Sequence, residues 1–92
     1  MPVEVRISKK ALKTLSRVPS YIADNLDSWV EAVETDGLED VRKISGYHDE
    51  PLKGDRKGQR SIRLSKAYRA IYEIRREEVE YLMIQEVNKH DY

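Results

Sequence analysis

Val3, Val5 and Ile7 alternate with Glu4 and Arg6, the period-two signature of a half-buried strand. Ser8 follows as an N-cap for a helix running through Leu12 and Leu15 to about Val18. Pro19 restarts the chain. From there Tyr21, Ile22, Leu26, Trp29, Val30 and Val33 recur at helical spacing, with Asp24, Asp27, Glu31 and Glu34 on the other side. The spacing predicts a helix from about Pro19 to Thr35, stopped by Gly37, whose apolar stripe supplies half of a core, Trp29 and Tyr21 included. Leu38 to Ile44 fits a short helical turn. Residues 45–58 carry Gly46, Pro51, Gly54 and Gly58 and read as a long loop, the kind of segment that tends to carry function.

Beyond the loop the period changes to two. In Ser61–Ser65, Ile62 and Leu64 point to one face and Ser61 and Arg63 to the other. A second strand from Arg69 to Arg75 sets Ala70, Tyr72 and Ile74 against Arg69, Ile71 and Glu73. A third, Val79 to Val87, sets Leu82 and Ile84 against Tyr81, Met83 and Val87. Short connections make these three an antiparallel meander. The fold class is therefore α+β: an N-terminal strand, two helices, then a three-stranded meander, with helices packed on one face of a small antiparallel sheet. The expected unit is one domain over residues 1–92, a length near the lower limit for an unstapled core.

Composition narrows the function. Cysteine is absent, so there is no disulfide framework and no Cys-based metal site. No apolar run approaches the roughly 20 residues of a membrane span, and the charged N-terminus lacks a signal peptide's apolar segment. A cytoplasmic protein is expected. The formal net charge of zero conceals a marked asymmetry. Basic residues stand against acidic ones at 7 to 10 in residues 1–52, 9 to 2 in residues 53–76, and 1 to 5 in residues 77–92. A cationic segment that dense is a candidate phosphate-binding surface.

If Ile62 and Leu64 face the helices, Ser61 and Arg63 lie on an open sheet face. Glu50 and Lys53 enter at its edge, and the tail with Lys89, His90, Asp91 and Tyr92 follows the last strand. Such a set suits cleavage of an RNA phosphodiester without a metal or other cofactor. A base takes the 2′-hydroxyl proton, cations stabilise the phosphorane, and an acid protonates the leaving 5′-oxygen. Arginine fits the middle role because its planar fork binds two phosphate oxygens. Only RNA offers the internal 2′-hydroxyl. His48 lies close to Glu50, but the pair is too few ligands for a metal site.

The stretch EPLKGDRKGQRSIRLSKAYRAIYEI, followed by VNKHDY, resembles the RelE/ParE superfamily of toxins from type II toxin–antitoxin modules. It is most similar to ribosome-dependent mRNA interferases of the RelE, YoeB and HigB kind. The resemblance is specific over residues 50–92; the N-terminal half matches in its order of elements. It implies a role for Glu50 as general base, for Lys53 in contacting RNA or phosphate, for Arg63 in binding phosphate and for Arg69 in stabilising the transition state. His90 and Tyr92 would act as acid or as stacking and positioning groups, and the base is Glu50 or His90. Arg60 stands where relatives often carry an aromatic residue, and Asp91 separates His90 from Tyr92. Arg56, Lys57, Arg60, Lys66 and Lys89 complete the expected RNA-binding set. The implied partners are a cognate antitoxin, ribosomal RNA and the mRNA in the A site. The alternatives are a ParE-like inhibitor of DNA gyrase on the same fold, or a non-catalytic module that binds antitoxin or ribosome.

Overall fold

The computed structural model describes residues 3–89. The candidate site residues His90 and Tyr92, and Asp91 between them, lie outside the described residues. The chain forms β1 (Glu4–Ile7), α1 (Lys9–Leu15), α2 (Ser20–Asp36) and α3 (Leu38–Arg42), then β2 (Glu50–Pro51), β3 (Gln59–Arg63), β4 (Tyr68–Arg76) and β5 (Glu80–Lys89). Single turns of 3₁₀ helix cover Ser45–Tyr47 and Gly54–Arg56. The described strands make one sheet in the order β1-β5-β4-β3-β2. The α+β class and the meander of β3, β4 and β5 are as the alternation predicts. Two strands extend it. β1 joins β5 in parallel, a pairing that the helices in between make possible as a crossover. β2 pairs antiparallel with β3 through Glu50–Ser61 and Pro51–Arg60.

Local chemistry sets the helix limits. The Ser8 hydroxyl accepts from the Ala11 amide at 3.0 Å, capping α1. α1 ends at Leu15 rather than near Val18. Pro19 disfavours a helical conformation at the residue before it, and the Ser16 hydroxyl turns back to the Lys13 carbonyl at 2.6 Å. α2 stops at Gly37, whose φ of 89° is open to glycine at little cost.

The core lies between α2 and the inner sheet face. Ile22, Leu26, Trp29 and Val33 form the buried stripe of α2 and meet Ile62, Leu64, Ala70, Tyr72, Leu82 and Ile84. The rings of Trp29 and Tyr72 pack with centroids 5.1 Å apart. Tyr21, expected in the core, is 54% exposed, because the stripe runs through its neighbour Ile22 and turns Tyr21 outward.

Val87 also departs from the alternation. It joins Leu82 and Ile84 in the core instead of facing away from them. The register shows why. Tyr72 pairs with Ile84 and Ile71 with Glu86, so Gln85 is an extra residue that resets the phase of β5. The bulge is tied to the start of α1. The Ser8 hydroxyl donates to the Gln85 carbonyl at 2.7 Å and the Ser8 amide to the Ile84 carbonyl at 3.0 Å. The bulge brings Glu86 and Asn88 onto the outer face, level with Ile71 and Arg69.

Candidate active site

The outer face of the sheet is ordered in rows. Arg63, Arg69 and Asn88 form the row nearest the β3–β4 turn. Glu50, Ser61, Ile71 and Glu86 form the next. Gln59, Glu73 and Met83 follow. The β3–β4 turn itself is held by the Ser65 hydroxyl, which accepts from the Ala67 and Tyr68 amides at 3.2 Å each. It is also anchored to α2, where the Asn25 amide donates to the Leu64 carbonyl at 2.7 Å. These bonds fix the ends of β3 and β4 that carry Arg63 and Arg69.

A cleft of about 150 Å³ opens at this end, lined by His48, Glu50, Arg63, Ser65, Lys66, Tyr68 and Arg69. It brings together Glu50, Arg63, Arg69 and Lys66 from the expected set and adds His48. Arg63 and Arg69 are direct cross-strand partners. Like charges placed opposite each other cost stability, so this pair fits an anion better than it fits an empty sheet. The Arg63 guanidinium reaches His48, with Nη1 3.3 Å from Nε2.

Other cations of the expected set are already engaged. Arg60 faces the helices beside Tyr72 and bonds to Asp49, Nε to Oδ1 at 2.5 Å. Arg56 spans β4, donating from Nε to Gln59 at 2.8 Å and pairing through Nη2 with Glu86 at 2.9 Å. Ser61, expected on an open surface, is only 1% exposed, since its row runs beneath this clamp. Lys53 and Lys57 are exposed on the segment after β2, and Lys89 is exposed opposite Tyr68. None of these three lines the cleft.

Two residues that matter here were not legible from periodicity. Asp49 precedes Glu50 with a side chain only 1% exposed. Its carboxylate accepts from Arg60 and, at 2.6 Å, from the Tyr72 hydroxyl, partners 11 and 23 residues away. Burial, then the Asp49 carboxylate, push the Tyr72 phenol well above its ordinary range. Burial pulls Arg60 down, but its bond to Asp49 and their attraction prevail and leave it raised. The network pins the chain where β2 begins, one residue from Glu50. His48 is the second such residue.

Glu86 anchors the middle of the face. Its pKa is lowered, first by the Asn88 amide and then by Lys10 and Arg56, against the opposing effect of burial. A carboxylate depressed on folding contributes stability above its unfolded pKa and loses it as pH falls through the folded one. Thermal unfolding above and below the ordinary carboxylate range should therefore show a smaller acid loss of Tm in Glu86→Gln than in the wild type. Equal acid losses would remove Glu86 from the list of stabilising carboxylates.

Among the described residues no three His, Cys, Asp or Glu side chains are grouped so as to hold a metal ion. No described helix is long and apolar enough to cross a membrane.

Residues 5–91 match the family model described as the ParE toxin of the type II toxin–antitoxin system, parDE. The chain belongs to this toxin family. Solved structures show the same fold. The YoeB/ParE toxin from Agrobacterium tumefaciens superposes with a TM-score of 0.72 at 15% identity, covering 97% of this chain and 100% of that one. YafQ from E. coli gives 0.74 at 16%, covering 96% and 93%. The toxin–antitoxin complex RelBE2 from Mycobacterium tuberculosis gives 0.64 at 23%, covering 98% and 100%. No curated protein sequence matches the chain. At these identities the structural likeness establishes the fold, a RelE-type α+β sheet, and the toxin family rests on the model that spans nearly the whole chain.

Proposed function

We propose that this toxin is an endoribonuclease that cleaves mRNA on the ribosome with protein groups alone. The observation that carries the reading is the cleft in which Glu50, Arg63 and Arg69 share one wall-to-wall space. Two arginines paired across strands bind the scissile phosphate and the charge that develops on it. Glu50 accepts the proton of the 2′-hydroxyl, which makes the nucleophile part of the substrate and restricts the reaction to RNA. The products are a 2′,3′-cyclic phosphate and a 5′-hydroxyl. The resemblance of residues 50–92 to ribosome-dependent mRNA interferases supports the same conclusion. His90 and Tyr92 belong to the proposed site through that resemblance, as do the RNA contacts of Lys53, Lys57 and Lys89.

The partners follow the same logic. Ribosomal RNA is a polyanion suited to the 9 basic residues of segment 53–76. A cognate antitoxin binds this toxin, as in the toxin–antitoxin complexes RelBE2 and DinJ–YafQ.

A second reading, inhibition of DNA gyrase, draws on the ParE description of the matched family. That activity needs a protein-binding surface and no acid–base set. End-group analysis separates the two. A single 2′-deoxy nucleotide at the cut position should abolish cleavage, and the 5′ fragment should carry a cyclic phosphate. Cleavage that survives the 2′-deoxy substitution would overturn the proposed chemistry. Loss of gyrase supercoiling with intact mRNA would favour the second reading.

A further inference from the structure

We infer that His48 is a catalytic residue of this reaction, the acid that protonates the leaving 5′-oxygen; the inference rests on the nuclease reading above. His48 closes the 3₁₀ turn Ser45–Tyr47 with φ 45° and ψ 49°. Among the described residues it is the only one other than glycine with a positive φ. A residue with a Cβ adopts this left-handed backbone at a cost, and such strain collects at functional sites. The strain has a visible result here, since the exposed ring lines the cleft beside Glu50, Arg63 and Arg69.

The contact with Arg63 orients the ring. A guanidinium donates and never accepts, so Nε2, 3.3 Å from Arg63 Nη1, takes the acceptor's place in this contact. Phosphate oxygens are stronger partners for Arg63 than a neutral imidazole. When the scissile phosphate takes the guanidinium, the Nε2 lone pair is released and can hold a proton.

The described neighbours point the same way. Among the described residues, the charged and titratable groups that line the cleft with His48 are Glu50 from β2, Arg63 from β3, Lys66 from the β3–β4 turn, and Tyr68 and Arg69 from β4. Arginine, lysine and tyrosine side chains have ordinary pKa values of about 10 or more, far above neutral pH, and Glu50 is already assigned as the base. Imidazole, with an ordinary pKa of about 6.5, both gains and releases a proton in that range. The step then balances. Glu50 takes the 2′-hydroxyl proton and O2′ bonds to phosphorus. The P–O5′ bond breaks with its electron pair on O5′, and O5′ takes the Nε2 proton. Glu50 is left protonated and His48 neutral, and both exchange with water.

The test uses His48→Asn, because asparagine tolerates the left-handed backbone better than most residues and so preserves the turn. Single-turnover cleavage of ribosome-bound mRNA is followed with the natural linkage and with sulfur replacing the bridging 5′-oxygen. A thiolate leaves without protonation. On the natural linkage His48→Asn should be slower by about 100-fold or more, while on the sulfur linkage it should run near the wild-type rate. The wild-type rate on the natural linkage should also show a limb that falls as pH rises, and that limb should be absent with sulfur. A His48→Asn enzyme as fast as wild type on the natural linkage would overturn the inference and pass the role to Tyr68 or His90, leaving the nuclease reading intact. Equal slowing on both linkages would make His48 a positioning residue instead. Absence of any cut by the wild type would overturn both readings.

Discussion

Replacing Arg69 with alanine is expected to slow RNA cleavage by about 1000-fold, as removal of a single charge-stabilising group does elsewhere. The same variant should unfold at the wild-type temperature or slightly above it. Arg69 stands directly opposite Arg63, so its removal relieves a like-charge pair that folding alone does not favour. Loss of function with unchanged or raised stability is what a group retained for its substrate should show. Rates from single-turnover cleavage and Tm values from calorimetry on the same preparation would check both halves. An Arg69→Ala protein that folds and cleaves normally removes Arg69 from the site. One that unfolds easily gives Arg69 a structural role that its neighbours do not suggest.

Asp49→Ala should act in the opposite order, on stability first. The carboxylate is almost fully buried and is shared by Arg60 and the Tyr72 hydroxyl. Its removal leaves a partly buried guanidinium and a buried phenol without their partner, a change that costs about 3 kcal/mol in comparable cases. For a chain of this length that lowers Tm by about 15 °C. Asp49→Asn keeps the shape and one acceptor and should lose less. Because Asp49 adjoins Glu50, cleavage should also weaken in Asp49→Ala at temperatures where the variant is still folded. Chemical denaturation of the two variants beside the wild type would measure this. A loss below about 1 kcal/mol would mean that the network stabilises no more than an ordinary hydrogen bond does.

Much of this arrangement could be read from the pattern of residues, and the parts that could not share a physical reason. Alternation in Ser61–Leu64 places Ile62 and Leu64 against the helices and sends Arg63 outward, and both hold in the structure. Periodicity reports which side a residue faces, however, and not what it touches. Nor does the charge of the segment around it report a partner: Arg60 counts among the basic residues expected on RNA, yet it binds Asp49 from the other side of a loop. Periodicity missed β2, two residues long and too short to show a period. It misplaced Val87, because one inserted residue, Gln85, reverses the phase of everything after it. His48 was visible as a residue near Glu50, but its value depends on a left-handed turn and on Arg63, 15 residues later, neither of which the local sequence announces. The cleft itself gathers residues from β2, β3 and β4, and only the pairing of those strands brings them together.

Primer extension across an mRNA translated in a purified system, with and without this toxin and with and without ribosomes, bears most directly on the proposed activity. Discrete cuts in phase with codons, seen only when ribosomes are present and lost in Arg69→Ala, are the expected result. An mRNA left whole under translation, with gyrase supercoiling blocked by the same preparation, would contradict it.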